Sequence, residues 1–149
     1  MARLLIVHHS PTPKVEALFD AVLAGAQDEA IEGVEVVVIP ALEATIDDVL
    51  SADGYLLGTT ANFGYISGAL KHFFDSTYDD VREPTTKRPF SYWIHGGYDT
   101  TGAERAMESI TTGLGWTLSA DPLVFTGEIG PERLEAATEL GGTMAALLM

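Results

Sequence analysis

The chain has 149 residues, a length that fits one domain with a sizeable core, and its apolar share of 46% excludes a long disordered tail. No run approaches the roughly 18 apolar residues that span a bilayer, and no small-residue cleavage site follows the apolar start, so we predict neither a membrane helix nor a signal peptide. The absence of cysteine excludes disulfides, thiolate nucleophiles and sulfur-ligated zinc, and we expect a cytoplasmic protein.

The net charge of −14 bears on the partners of the chain. Nucleic acid and anionic membranes are bound by Lys and Arg that neutralise phosphates, so neither is expected as a partner here. An acidic surface keeps a protein in solution and can also steer a basic redox partner toward it. Composition leaves both roles open.

The first half of the chain alternates buried strands with helices. Residues 4–7 form a continuous apolar run, which is typical of a strand buried on both faces. Apolar residues then recur at helical spacing over residues 15–26, and β-branched residues 34–39 predict a second strand. Thr45 is the expected N-cap of a short helix with acidic residues in its first turn.

The second half repeats this alternation three times. Breaker residues and changes of period predict a third strand over 54–59, a loop over 60–67 and a helix over 66–77. A polar connection over 81–87 leads to a fourth strand over 89–95, a loop over 96–102 and a helix over 103–114 that is stopped by Gly113 and Gly115. A fifth strand over 122–125 and a last helix from Pro131 complete the chain. Five strand–helix alternations without a linker or repeat predict one α/β domain over residues 1–149, with a parallel sheet and right-handed crossovers.

Ligands of open parallel sheets bind outside the carboxyl ends of the strands, at the switch point of the strand order. The loops after the first, third and fourth strands are therefore the candidate site. In the first loop, hydroxyls of Ser10 and Thr12 precede the free N–H groups of a helix, an arrangement that attracts phosphate. The alternative is that both hydroxyls only cap the helix.

Residues 53–75 read DGYLLGTTANFGYISGALKHFFD. This stretch resembles the flavodoxin-like family, and within it the NAD(P)H:quinone oxidoreductases and NADPH-dependent FMN reductases. Members carry an acidic-Gly strand entry, a Gly-Thr-Pro exit, an aromatic-Gly pair and then Ser-Gly-x-Leu-Lys leading into a helix. The resemblance implies a flavodoxin-like three-layer sandwich, with a five-stranded parallel sheet of order 2-1-3-4-5 and helices on both faces.

The resemblance also implies three sets of residues around one FMN. The phosphate set is Ser10, Thr12, Pro13, Lys14 and Val15. The set along the isoalloxazine and ribityl chain is Thr60, Ala61, Asn62, Phe63 and Gly64. The set on the other side of the ring is His95, Gly96, Gly97, Tyr98, Thr100, Thr101 and Gly102. No metal ligand and no dedicated catalytic residue is implied, because the flavin carries the chemistry.

Three positions depart from the family pattern. Pro13 stands where the family usually has Gly and lacks an N–H donor, and Val15 replaces a residue that often carries a hydroxyl. Thr60 replaces the usual Pro. The first two changes predict weaker binding of FMN than in a typical flavodoxin.

Single residues carry further expectations. Tyr98 is a candidate to stack on the ring, while Phe63 and Tyr65 are candidates to wall its other side, one of them packing inward. His95 is expected to bond either flavin or backbone. Trp93 and Trp116 are expected in the core. His8 and His9 point to opposite faces by strand alternation, which disfavours a metal pair.

The main functional hypothesis is an FMN-dependent oxidoreductase that passes electrons from NAD(P)H to a quinone or similar small acceptor. One alternative is a flavodoxin-type electron carrier that serves a redox partner protein, and another is a binding module that has lost FMN. A phosphoacceptor receiver domain is disfavoured because His8 and His9 stand where it needs acids. The choice between NADH and NADPH and the oligomeric state, including a homodimer, stay open.

Overall fold

A parallel sheet runs between two layers of helices in the computed structural model, which describes all 149 residues. The elements are β1 (Ala2–His8), α1 (Pro13–Ala26), β2 (Val34–Pro40), α2 (Ile46–Leu50), β3 (Gly54–Asn62), β4 (Tyr65–Ile66), α3 (Gly68–Val81), β5 (Pro89–Gly96), α4 (Thr101–Leu114), β6 (Thr117–Leu118), β7 (Leu123–Thr126) and α5 (Pro131–Ala146).

The strand order is β2-β1-β3-β5, followed by an edge position that β6 and β7 share. All of these pairs are parallel, with Leu5 aligned to Val37 on one side and to Tyr55 on the other. The long strands thus follow the predicted order 2-1-3-4-5, which is confirmed. Because β1 lies between β2 and β3, the switch point falls at the carboxyl end of β1 and β3.

Side-chain alternation along the strands divides the core into two layers. Leu4, Ile6 and Trp93 face α1 and α5, whereas Leu5, Tyr55 and Ile94 face α2, α3 and α4. Both tryptophans are buried, as expected, Trp93 in the first layer and Trp116 in the second. Burial on both sheet faces explains why the strands are apolar runs rather than alternating ones.

Local signals set the starts of the helices. The Thr12 hydroxyl accepts a hydrogen bond from the Val15 N–H, and Pro13 occupies the first helical position, where its missing N–H costs the helix nothing. Thr45 and Asp48 form a reciprocal capping box on α2, which confirms the predicted N-cap. No helix is both long and apolar enough to cross a membrane.

Four details differ from the predicted elements. The 60–67 loop is instead a continuation of β3 into a hairpin with β4, and α3 extends to Val81. The edge position includes β6, which is too short to leave a periodic signal. Gly113 does not stop α4 but lies inside it, where a Cβ would stand 2.1 Å from the Tyr78 hydroxyl; only Gly115, with φ of 75°, ends the helix.

Candidate functional site

The β3–β4 hairpin forms one wall of the candidate site. Ala61 pairs with Ile66 and Asn62 with Tyr65, leaving Phe63 and Gly64 as a two-residue turn with φ of 50° and 76°. Such a turn needs left-handed conformations at both central residues. The Thr59 hydroxyl accepts a hydrogen bond from the Ser67 N–H and so ties the base of the hairpin to the start of α3. The turn is therefore held in place from below.

Both aromatic residues of this hairpin are exposed. The Phe63 side chain is completely open to solvent and that of Tyr65 is 39% exposed. The expectation that one of the two packs inward is wrong: neither side chain is buried, and the core residue of the hairpin is instead Ile66.

The loop between β5 and α4 forms the facing wall. It presents Gly97, Tyr98 and Asp99, and the Tyr98 side chain is 94% exposed. None of the three backbone N–H groups donates to an acceptor in the protein. The Asp99 carboxylate accepts a hydrogen bond from the Thr101 N–H, and this bond holds the pKa of Asp99 below its ordinary value. Asp99 therefore stays charged at neutral pH.

A slot of about 120 Å³ separates the two walls, and we call it the aromatic slot. Its lining residues are Ala61, Phe63, Gly64, Gly97, Tyr98 and Asp99. Two cavities of about 370 and 400 Å³ are larger, but they lie beside α5 and α4, away from the carboxyl edge of the long strands. We assign the site to the smaller slot because it lies at that edge, between loops whose N–H groups are free.

The predicted phosphate loop lies after β1. The backbone N–H groups of Ser10 and Thr12 donate to no protein acceptor, and that of Lys14 belongs to the first helical turn, which has no intrahelical partner. Lys14 is exposed and forms no ion pair. The Val15 side chain is buried against the core. This loop therefore offers two hydroxyls, free N–H groups and one ammonium group to an anion.

Other predicted site residues serve the loops themselves. The Thr60 hydroxyl donates to the Asn62 side chain, and the Thr100 hydroxyl donates to Glu104. The Nε2 atom of His95 lies 2.7 Å from the carbonyl oxygen of Gly127, so this histidine bonds the backbone of the loop after β7.

Glycines allow the two walls to approach each other closely. Gly102 lies in the first turn of α4 against Gly64, and a Cβ at Gly96 would stand 3.1 Å from the Cβ of Ala61. The hairpin, the β5–α4 loop and the start of α4 are thus one packed unit.

Sequence reasoning alone misses two residues of the site. The first is Asp99, between Tyr98 and Thr100, whose carboxylate accepts a hydrogen bond from the Thr101 N–H. Asp favours local turns closed by this bond, so the sequence did contain a signal for it. The second is His8, for which the strand pattern only argues against a role as a metal ligand. In the fold, the Nδ1 atom of His8 lies 2.8 Å from Ser10 Oγ. That contact depends on how the chain turns after β1, and no periodic pattern indicates it.

Comparisons with known proteins agree with this architecture. No family model matches the chain. A flavodoxin of Aquifex aeolicus (strain VF5) is 34% identical over 113 residues, which cover 75% of this chain and 60% of the relative. The chain thus spans about 60% of the length of that curated relative.

Solved structures superpose over nearly the whole chain. A flavodoxin from the domain Archaea has a TM-score of 0.79 and 16% identity, with 98% of each chain covered. A WrbA-like flavodoxin from Agrobacterium tumefaciens has a TM-score of 0.78 and 16% identity, covering 99% of this chain and 98% of its own. The two-electron reduced flavodoxin of Megasphaera elsdenii has a TM-score of 0.77 and 22% identity, covering 95% and 98%. These likenesses concern the fold.

Proposed function

We propose that this chain, which has the flavodoxin-like fold, binds one FMN at the carboxyl edge of its sheet and serves as an electron carrier. The observation that carries the proposal is Phe63. A bulky residue in the left-handed region stores strain, and its fully exposed ring recovers none of that cost by packing within the chain. A planar ligand in the aromatic slot would stack on the Phe63 ring.

The residues that line the slot support an isoalloxazine ring as its ligand. Its two aromatic side chains, Phe63 and Tyr98, offer faces to a planar ligand from opposite loops. The N–H groups of Gly97, Tyr98 and Asp99 can meet acceptors along a ring edge. FMN, when bound, would supply the electron-transfer chemistry, and the protein orients it and adjusts its potential.

The β1–α1 loop fits a phosphate. Ser10 and Thr12 offer backbone N–H groups and hydroxyls, Lys14 adds a positive charge, and the dipole of α1 points its positive end at the loop. Pro13 removes one donor and buried Val15 supplies none. A bond to a charged group is worth roughly 1.5–3 kcal/mol, so each missing donor should lower the affinity for FMN by about one to two decades.

An electron carrier is preferred over an NAD(P)H:quinone oxidoreductase, the main hypothesis from the sequence. The Aquifex aeolicus relative, at 34% identity, is a flavodoxin, and this likeness supports the carrier. A net charge of −14 would favour a basic redox partner protein.

Titration of apoprotein with FMN, with riboflavin as the phosphate-free control, tests the proposal. We expect FMN to bind more tightly than riboflavin. Thr12→Ala should weaken FMN binding, while Thr45→Ala, which removes the N-cap of α2, should leave it unchanged. Equal affinity for FMN and riboflavin would remove the phosphate site, and failure to bind either would favour a module that has lost its cofactor.

Mixing the oxidised holoprotein with NADPH or NADH separates carrier from enzyme. Oxidised flavin absorbs near 450 nm, and a carrier should keep this absorbance over minutes. Rapid bleaching would contradict the carrier and restore the oxidoreductase hypothesis.

A further inference from the structure

His8, the last residue of β1, contacts the phosphate loop directly. Its imidazole ring lies flat on Phe19 of α1, with ring centroids 3.8 Å apart and planes within 5° of each other. This stacking fixes the ring plane, and Nδ1 then lies 2.8 Å from Ser10 Oγ. A side chain on the strand thus holds a hydroxyl in the loop that follows it.

The imidazole ring is uncharged at neutral pH. The pKa of His8 is lowered to about 4, with burial as the largest cause; the neighbouring His9 also lowers this pKa and Asp20 raises it. A neutral imidazole carries one proton on either Nδ1 or Nε2. If Nδ1 is bare, it accepts the Ser10 hydroxyl proton; if Nδ1 carries the proton, it donates to Ser10 Oγ.

The two tautomers have opposite consequences for an anion. A hydroxyl that gives its proton to Nδ1 presents only an oxygen lone pair, which repels phosphate. A hydroxyl that accepts from Nδ1–H keeps its own proton for the ligand, so Ser10 becomes a donor. The Nε2 atom of His8 forms no hydrogen bond with a protein group, and it is not a buried atom that lacks a partner. Water can therefore bond Nε2 in either tautomer.

We propose that His8 is a positioning residue: in the Nδ1–H form it turns the Ser10 hydroxyl proton toward the FMN phosphate. The inference rests on the proposed function, since it concerns the same phosphate site. It gives Ser10 a donor role that compensates in part for the N–H missing at Pro13. The stack on Phe19 fixes the plane of the ring, and the contact between Nδ1 and Ser10 Oγ selects the one of its two flipped orientations in which Nδ1 faces the loop.

Variants at both positions test the coupling. His8→Phe keeps an aromatic ring to stack on Phe19 and removes Nδ1. We expect it to weaken FMN binding about three- to tenfold, as for loss of one hydrogen bond, and to leave riboflavin affinity unchanged. Ser10→Ala should weaken FMN binding at least as much. The double variant should bind FMN no more weakly than Ser10→Ala alone, because His8 acts through Ser10.

A conservative variant and a spectroscopic readout complete the test. His8→Asn places an amide nitrogen at about the reach of Nδ1 and should recover part of the FMN affinity lost in His8→Phe. Nitrogen-15 NMR of the wild-type complex with FMN should show His8 protonated at Nδ1 and bare at Nε2. Thermal melting checks that each variant is folded before titration.

Three results would overturn the inference while FMN binding by the wild type still stands. These are wild-type FMN affinity in folded His8→Phe, equal losses for FMN and riboflavin, and an Nε2–H tautomer in the FMN complex. Failure of the wild type to bind FMN, or to prefer it over riboflavin, is a distinct result that removes the proposed phosphate site and this inference with it.

Discussion

The backbone of Gly102 lies against the carbonyl of Gly64, so that a Cβ at Gly102 would stand 1.8 Å from the Gly64 oxygen. Gly64 belongs to the hairpin turn between β3 and β4, and Gly102 to the first turn of α4. The two residues are 38 positions apart in sequence. Their contact makes the two walls of the aromatic slot interdependent, so that a change in one wall displaces the other.

Gly102→Ala should therefore disturb both walls at once. The new methyl group meets backbone rather than a flexible side chain, and overpacking of this kind costs about 1–3 kcal/mol in free energy of unfolding. We expect FMN affinity to fall about tenfold or more, which corresponds to at least 1.4 kcal/mol. Denaturant unfolding and FMN titration measure the two effects.

Gly68→Ala is the matched control for this substitution. Gly68 also lies in the first turn of a helix, α3, but a Cβ there would meet nothing within 4 Å. Alanine favours helix over glycine, so stability should be unchanged or higher. Equal losses in the two variants would contradict the contact with Gly64.

Gly64→Val should abolish FMN binding and leave the sheet intact. Valine is branched at Cβ and reaches φ near 76° only with strain on the order of 1–3 kcal/mol, so we expect the turn to change shape. Asparagine tolerates this region, and Gly64→Asn should retain most of the affinity. Far-UV circular dichroism and FMN occupancy measure fold and site separately, and full occupancy in Gly64→Val would contradict the assignment of this wall.

Much of the fold could be predicted because it is encoded locally. The apolar runs of the strands, the helical spacing over residues 15–26, the Thr45 cap and the helix start at Pro131 are each read within one segment. The two-residue turn of the hairpin could not be read in this way. Such turns are usually signalled by Asn-Gly or Gly-Gly, whereas here Phe63 takes the first position.

The contacts that complete the site depend on tertiary packing. His8 meets Phe19 only because α1 crosses back over β1, and Gly102 meets Gly64 only because β3 and β5 are neighbours. The residues of the three loops could be named in advance, since parallel strands bring their carboxyl ends together. Which of them touch each other could not.

Asp99→Asn should raise the midpoint potential of the FMN-loaded protein. The carboxylate lines the aromatic slot and stays charged, so it opposes added negative charge on a neighbouring group. Asparagine can still accept the Thr101 N–H bond and should preserve the loop. Asp121→Asn, beside a different cavity, should leave the potential unchanged. Potentiometric titration at low ionic strength gives the largest difference, because salt screens exposed charges.

The contribution of His8 to the stability of the folded protein should fall as pH is lowered from 6.5 toward 4. The pKa of His8 is about 4 in the folded state against 6.5 as its ordinary value, so the unfolded chain binds more protons in this window. The contribution is present above pH 6.5 and is lost as pH falls through the folded pKa. Allowing for solvent screening of the partly exposed ring, we expect about 1 kcal/mol of it to be lost between pH 7 and pH 5.

His8→Phe isolates this contribution, since phenylalanine does not titrate. Urea unfolding of the wild type and the variant at pH 7 and pH 5 gives four free energies. The wild type should lose about 1 kcal/mol more than the variant over that interval. An equal loss in both proteins would show that His8 titrates as it does in the unfolded chain.

Phe63→Gly should separate stability from binding, because the two effects have opposite signs. Glycine takes φ of 50° without strain, so the free energy of unfolding should be unchanged or higher by up to about 1 kcal/mol. Loss of an aromatic face should weaken FMN binding by about 1 kcal/mol, or roughly fivefold.

Tyr98→Ala is the matched comparison, since it removes the facing exposed ring without relieving backbone strain, and it should weaken binding with no gain in stability. A Phe63→Gly protein that is less stable and binds FMN as tightly as the wild type would show that Phe63 is retained for the fold, and the observation that carries the proposed function would fail.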